Sequence, residues 1–316
     1  MDIQVAQTLF SAVDASLKSS LVNGTSKVMV GLGALIGTMW MLSFTLRSIR
    51  WIYMGMSEVF KDVVFEIFKV AAIAGMAFNV GWFVDTIVPF VTGLPAWMGG
   101  ILSGQEGNQL NQVDAMISSY VDGLIKLTSM MKFNIVTTEV SVIYLSIQAV
   151  VFYLLGGIPF ILVAVGTLIT LKVATTIMLA VGPVFIAFAL FDQTRQWFMG
   201  WVSLVAGFML TQVLFAVVLG LEIGFINSFI IKNGEIDTTL LGNISMLIYF
   251  ASFTLLATEL PNYAASVMGG TSSGAATGLG GILGKASGAG AAMKMSKAAG
   301  GLASKYLRGK FGNRMS

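Results

Sequence analysis

Cysteine and histidine are both missing from the 316 residues, proline occurs only five times, and charged residues make up 10% of the chain. Without cysteine there is no disulfide, no thiolate nucleophile and no thiolate metal site. Without histidine the commonest general base near neutral pH is gone. The shortage of charge excludes more. Soluble domains carry roughly 25% charged residues, so this chain cannot coat a water-facing surface. Hydrophobic residues fill the gap at 56%, with a mean hydropathy of +0.85. This composition predicts an all-α, polytopic transmembrane helix bundle with amphipathic surface helices. It predicts no enzyme, no catalytic or metal-ligating set and no cofactor.

The net charge of +3 conceals an asymmetry. Residues 269–316 hold Lys285, Lys294, Lys297, Lys305, Arg308, Lys310 and Arg314 and no acid, so this tail carries +7 and the remainder −4. Such a tail reads as cytoplasmic under the positive-inside rule, close to anionic headgroups. Rich in Gly, Ala and Ser, it reads as flexible. Seven dispersed basic residues fit lipid or protein contact better than a phosphate track. Gly284-Lys285 completes no G-x-x-x-x-G-K-[ST] loop, which argues against nucleotide binding.

Along the chain, residues 1–27 predict an amphipathic segment (Ile3, Val5, Ala6, Leu9, Phe10, Val13, Leu17). The opening Met1-Asp2-Ile3-Gln4 lacks the basic start of a cleavable signal. Residues 28–84 predict two spans. The first, 28–46, is uncharged; the second is 67–84; an amphipathic connector over 51–68 joins them. Arg47 and Arg50 beside Trp51 and Tyr53 mark a cytoplasmic interface, which places the N-terminus in the periplasm. Residues 85–139, broken by Pro89, Pro95 and Gly99-Gly100, predict an acidic periplasmic loop region with a short amphipathic helix near 113–131. Residues 140–268 hold the C-terminal helices: two spans in 140–190 broken near Pro159, a third over 198–225, and a shorter apolar run, 244–258. Six apolar segments would put both termini on one side, against the charge pattern. The reading therefore keeps about five spans and makes 244–258 a re-entrant or half-buried helix. Pro159, Pro183 and Pro261 are expected helix breaks.

Four ionisable residues lie in or near the apolar segments: Glu66, Lys69, Lys172 and Glu222. A charge at the bilayer centre costs at least ~2.5–3.5 kcal/mol on insertion scales, so these residues line water, pair with one another or snorkel. The long stems of Lys69 and Lys172 suit snorkelling. Glu222 cannot reach far and is the better pore or intersubunit candidate. Asp192 and Arg195, three apart, read either as a solvated local pair or as a contact to another subunit. Trp197 and Trp201 read either as interfacial anchors or as partner contacts. Gly33-x-x-x-Gly37 reads as close helix packing. Nineteen Met residues supply adaptable packing surfaces.

One stretch carries a resemblance. Gly182-Pro183-Val184-Phe185-Ile186-Ala187-Phe188-Ala189-Leu190-Phe191-Asp192-Gln193-Thr194-Arg195-Gln196-Trp197-Phe198-Met199-Gly200-Trp201 is similar to the "GPxFIALxLFxxTRxxFxGW" pattern of the TrbL-type family, the polytopic inner-membrane subunit of type IV secretion systems. Glu259-Leu260-Pro261-Asn262-Tyr263-Ala264-Ala265-Ser266, followed by Gly269-Gly270, resembles that family's closing feature. The resemblance implies a channel or stalk-base component in a bacterial inner membrane, supporting conjugative DNA or effector transfer and pilus assembly. It implies a homo-oligomer of five copies, with the minor pilin, bitopic scaffold subunits and the assembly ATPase as partners. Transient contact with a DNA–relaxase or effector substrate would follow. It also moves Asp192, Arg195, Trp197 and Trp201 towards the partner-contact reading.

Two other classes compete. A small-molecule permease with broken helices around Gly156–Pro159 should show inverted repeats, and none is visible. An intramembrane enzyme needs paired acids or a Ser/Lys dyad at helical spacing, and no such pair stands out.

Overall fold

The computed structural model describes residues 5–53, 56–104, 109–129, 139–232, 235–236 and 239–268. The basic tail and the fringes of several connections lie outside this set. Nine α-helices occur among the described residues: α1 (Val5–Trp51), α2 (Met56–Phe78), the single turn α3 (Val80–Trp82), α4 (Val88–Ser103), α5 (Gln109–Ser129), α6 (Val140–Ala180), α7 (Gly182–Phe188), α8 (Arg195–Phe225) and α9 (Leu240–Val267). A π-helical turn, Phe83–Ile87, leads into α4; another, Ile226–Ile230, follows α8. The two-residue strands β1 (Ile231–Lys232) and β2 (Glu235–Ile236) pair antiparallel. In lipid each backbone N–H and C=O must be satisfied within the chain, and a helix does this inside one segment. An all-α bundle is the direct result.

Five helical stretches are long and apolar enough to cross a membrane: Gly24–Trp51, Phe83–Ser103, Val140–Ala180, Arg195–Ser228 and Leu240–Val267. The number matches the sequence reading, but the segments differ. The amphipathic start and the first span are one continuous helix, α1. The run 67–84 does not form a separate span: α2 joins its first part to the charged connector, and the second apolar stretch lies further on, through the expected loop. Pro89 sits in the first turn of α4, where its missing N–H costs nothing. Pro95 is accommodated inside that helix, and α4 stops at Gly104, whose φ of +66° is the left-handed cap a glycine adopts without strain.

Two further expectations are corrected. The stretch 140–190 holds one 41-residue helix rather than two spans, and Pro159 lies inside it. At 1.5 Å per residue α6 is ~62 Å long, about twice the hydrocarbon thickness. The run 244–258 belongs to α9, a 28-residue helix that passes through Pro261 and is long enough to cross. It starts at Thr239, whose hydroxyl oxygen accepts the amide of Gly242 at 3.1 Å. Proline ends a helix when its lost hydrogen bond can be replaced by water. The apolar setting of Pro159 removes that alternative, so α6 continues through it; α9 likewise runs on through Pro261.

Contacts between helices fix their directions. Arg47 of α1 meets Glu66 of α2, and Gly33 faces Phe78, so these helices form an antiparallel hairpin. Thr25 donates to the Ala180 carbonyl at 3.2 Å, whereas Arg47 reaches Asp192. Trp201 donates to the Met178 carbonyl, so α1 and α8 run in opposite senses. Gly182 and Trp201 meet Phe83, and Gly220 lies against Ser103. Accordingly α4 is parallel to α8, and α2 and α4 run in the same sense as one bent return limb. Two apolar clusters stand out among the described residues. One gathers Met29, Ile36, Ile73, Phe83, Leu179, Ile186 and Val205 around Trp201. The other gathers Leu127, Ala149, Ile226, Met246 and Phe250 around Tyr120 and Tyr153.

Candidate functional site

At the tip of the α1–α2 hairpin the apolar pattern gives way to charge. Asp62, Glu66 and Lys69 follow helical spacing on α2 and turn towards α1 and the α7–α8 connection. The Glu66 carboxylate is buried and accepts from the Arg47 guanidinium at 2.5 Å. The Trp51 indole N–H donates to Asp62 at 2.7 Å. Asp192, in the connection, sits 3.8 Å from Arg47 Nη2 and 3.9 Å from Lys69 Nζ. Two cations and two anions thus form one neutral cluster. It ties the hairpin to the connection whose residues carry the 182–201 motif.

The connection is itself built by that motif. Gly182 is packed so tightly that a Cβ there would lie 2.9 Å from the Trp201 ring and 3.0 Å from Phe83. Pro183 stands in the first turn of α7. The Thr194 hydroxyl donates to the Phe188 carbonyl at 2.7 Å and closes the bend before α8. Phe188 meets Trp197 edge-on at 5.1 Å, and Phe185 stacks on Trp201 at 6.4 Å.

The structure separates the residues singled out by sequence. Glu66, Lys69 and Asp192, assigned to two different roles, meet in the one cluster. Asp192 is held by Arg47 and Lys69, and Arg195 is an exposed residue at the start of α8. Trp197 is exposed at 51%. Trp201, at 8% exposure with its N–H satisfied, packs in the core. Lys172 lies half-buried in α6. Glu222 is fully buried in α8, and neither carboxylate oxygen has a hydrogen-bond partner among the described residues.

Sequence reasoning missed a second arrangement at the opposite end. Tyr120 of α5 and Tyr153 of α6 stack at 4.6 Å, and each hydroxyl donates to the other residue's carbonyl, at 3.1 and 2.9 Å. Each ring also covers a glycine of the facing helix. A Cβ on Gly157 would stand 2.0 Å from the Tyr120 ring, and one on Gly123 would stand 2.3 Å from the Tyr153 hydroxyl. Burial pushes the Tyr120 hydroxyl up to about 12, so it remains a donor at any physiological pH. The available signal was a tyrosine three or four residues before a glycine on both helices, but pairing them needed the tertiary contact.

Residues 40–245, nearly two thirds of the chain, match the family model described as TrbL/VirB6 plasmid conjugal transfer protein. No curated protein matches the chain. The matched range contains the charge cluster, the motif-bearing connection and the tyrosine pair.

Proposed function

Because the chain belongs to the TrbL/VirB6 family of plasmid conjugal transfer proteins, we propose that it is an inner-membrane channel or stalk-base component of a type IV secretion system. It supports conjugative DNA or effector protein transfer and pilus assembly, and its role is structural rather than catalytic. The family match carries this reading. The geometry supports it, because the motif that resembles the family forms a packed connection held to the hairpin by a neutral ion cluster.

The same reading assigns partners. Copies of the chain assemble into a ring, five by resemblance to the family, beside the minor pilin, bitopic scaffold subunits and assembly ATPase. Trp197 and Arg195 stay exposed next to the anchored connection and are the residues offered to a neighbour. A rigid mount beneath an exposed aromatic suits a protein contact, since buried Trp and Arg anchors dominate binding energy. Glu222 is a polar point for an intersubunit contact or a water-filled path.

Deletion of the gene should abolish conjugative transfer or effector export, and the wild-type gene should restore it. The double substitution Arg195→Ala, Trp197→Ala should lower transfer at least tenfold while leaving the protein in the membrane at normal abundance. Normal transfer by the deletion strain would refute the proposal.

A further inference from the structure

A helix of a water-soluble protein turns its apolar stripe inward and its charges outward. Helix α2 does the reverse from Phe60 to Lys69. Its inner stripe is Asp62, Glu66, Lys69, Ile73 and Ala77, with the three charged residues contacting Trp51, Arg47 and Asp192. Its outer stripe shows Phe60 at 70% exposure, Phe65 at 69% and Phe68 at 71%, followed by Ala72 and Gly75. Only near the tip, at Glu58 and Lys61, are charges exposed.

We propose that the outer face of α2, centred on Phe60, Phe65 and Phe68, is a lipid-contacting surface seated among the acyl chains of the bilayer. Continuity of surface identifies the occupant. Helix α1 is long and apolar enough to cross, and little of it is buried by the rest of the chain. Its Leu35, Met39, Leu42 and Leu46 are exposed as well. The Trp51–Asp62, Arg47–Glu66 and Gly33–Phe78 contacts hold α2 antiparallel to α1, level with residues 51 to 33. Where residues 33–51 of α1 meet hydrocarbon, α2 stands at the same depth. Its inward charges are then an adaptation to lipid, because ionisable groups inside a bilayer face the protein and pair.

The charge distribution at the hairpin tip fits the same placement. Exposed Arg50 and Lys61 stand beside Tyr53, which matches the basic and aromatic belt at a headgroup layer. Five charged residues in 23 give α2 the composition of a surface helix. The helix adds no crossing of its own, because it starts the return that α4 completes.

The absence of cysteine makes the test direct. Single substitutions Phe65→Cys, Phe68→Cys and Ala72→Cys, with Glu58→Cys as the aqueous reference, are made in the full chain and spin-labelled. The protein is reconstituted into phosphatidylethanolamine–phosphatidylglycerol vesicles. Collision with oxygen, which partitions into lipid, is compared with collision with a water-soluble nickel chelate. The oxygen-to-nickel ratio should be at least fivefold higher at 65, 68 and 72 than at 58. A ratio equal to that at 58 would place the face in water and overturn the proposal. Low collision with both reagents would also overturn it, by showing that protein covers the face. Ala72→Cys changes the least volume, so it decides the question if either phenylalanine variant fails to fold.

Discussion

Two carboxylates in the hairpin cluster show how burial sets the worth of an ion pair. Glu66 is buried and pairs with Arg47 at 2.5 Å, whereas the Asp192 side chain is 72% exposed and almost 4 Å from either cation. Removing one member of a buried pair leaves a charge unpaired away from water, which costs about 3–5 kcal/mol. Arg47 keeps some solvent access, so Glu66→Ala should cost roughly 3 kcal/mol, the low end of that range. An exposed pair contributes about 0–1 kcal/mol, and Asp192→Ala should fall there. Thermal unfolding of the detergent-solubilised protein checks both. Equal loss in the two variants would mean that the cluster acts as one unit. The sequence marked Glu66, Lys69 and Asp192 as notable because charge is rare here. Their common location was not legible, because Asp192 lies 123 positions beyond Lys69.

At the scale of elements, the α5–α6 contact depends on glycine being too small to obstruct a tyrosine. Gly157→Ala would place a methyl 2.0 Å from the Tyr120 ring and force the stacked pair apart. Overpacking of this kind costs about 1–3 kcal/mol. Gly37→Ala is the control, because nothing lies within 4 Å of a Cβ there, and the gain in helix propensity is about 1 kcal/mol. The first variant should melt lower than the parent and release α5 to faster hydrogen exchange; the second should melt no lower. Helix existence was readable from hydrophobic runs, and α5 was found within a few residues of its bounds. Helix boundaries were not readable. Pro89, Pro95, Pro159 and Pro261 looked like stops, yet all four lie within helices, since a proline in the first turn loses nothing and an apolar setting offers the backbone no other partner.

For the whole molecule, helix directions and charge placement select the same orientation. The tip of the α1–α2 hairpin and the α7–α8 connection share one end, which holds Arg47, Arg50, Lys61, Lys69 and Arg195. Ser103, Gly220 and the tyrosine pair define the other end, where α5 carries Asp114 and Asp122 against Lys126. Counting α2 with α4 as one return, and α6 with α7 as one passage the other way, the described residues hold five candidate crossings. An odd number places the N-terminus and the basic tail on opposite sides. The positive-inside rule then predicts a cytoplasmic hairpin tip and +7 tail, and a periplasmic α5. Alkaline phosphatase, active only outside the inner membrane, should be active when fused after Gly104 and inactive when fused after Ser316. A fluorescent protein that matures only in the cytoplasm should give the reverse pattern. Phosphatase activity at both positions would require an even number of crossings after Gly104. At least one of α6, α8 and α9 would then fail to traverse the bilayer.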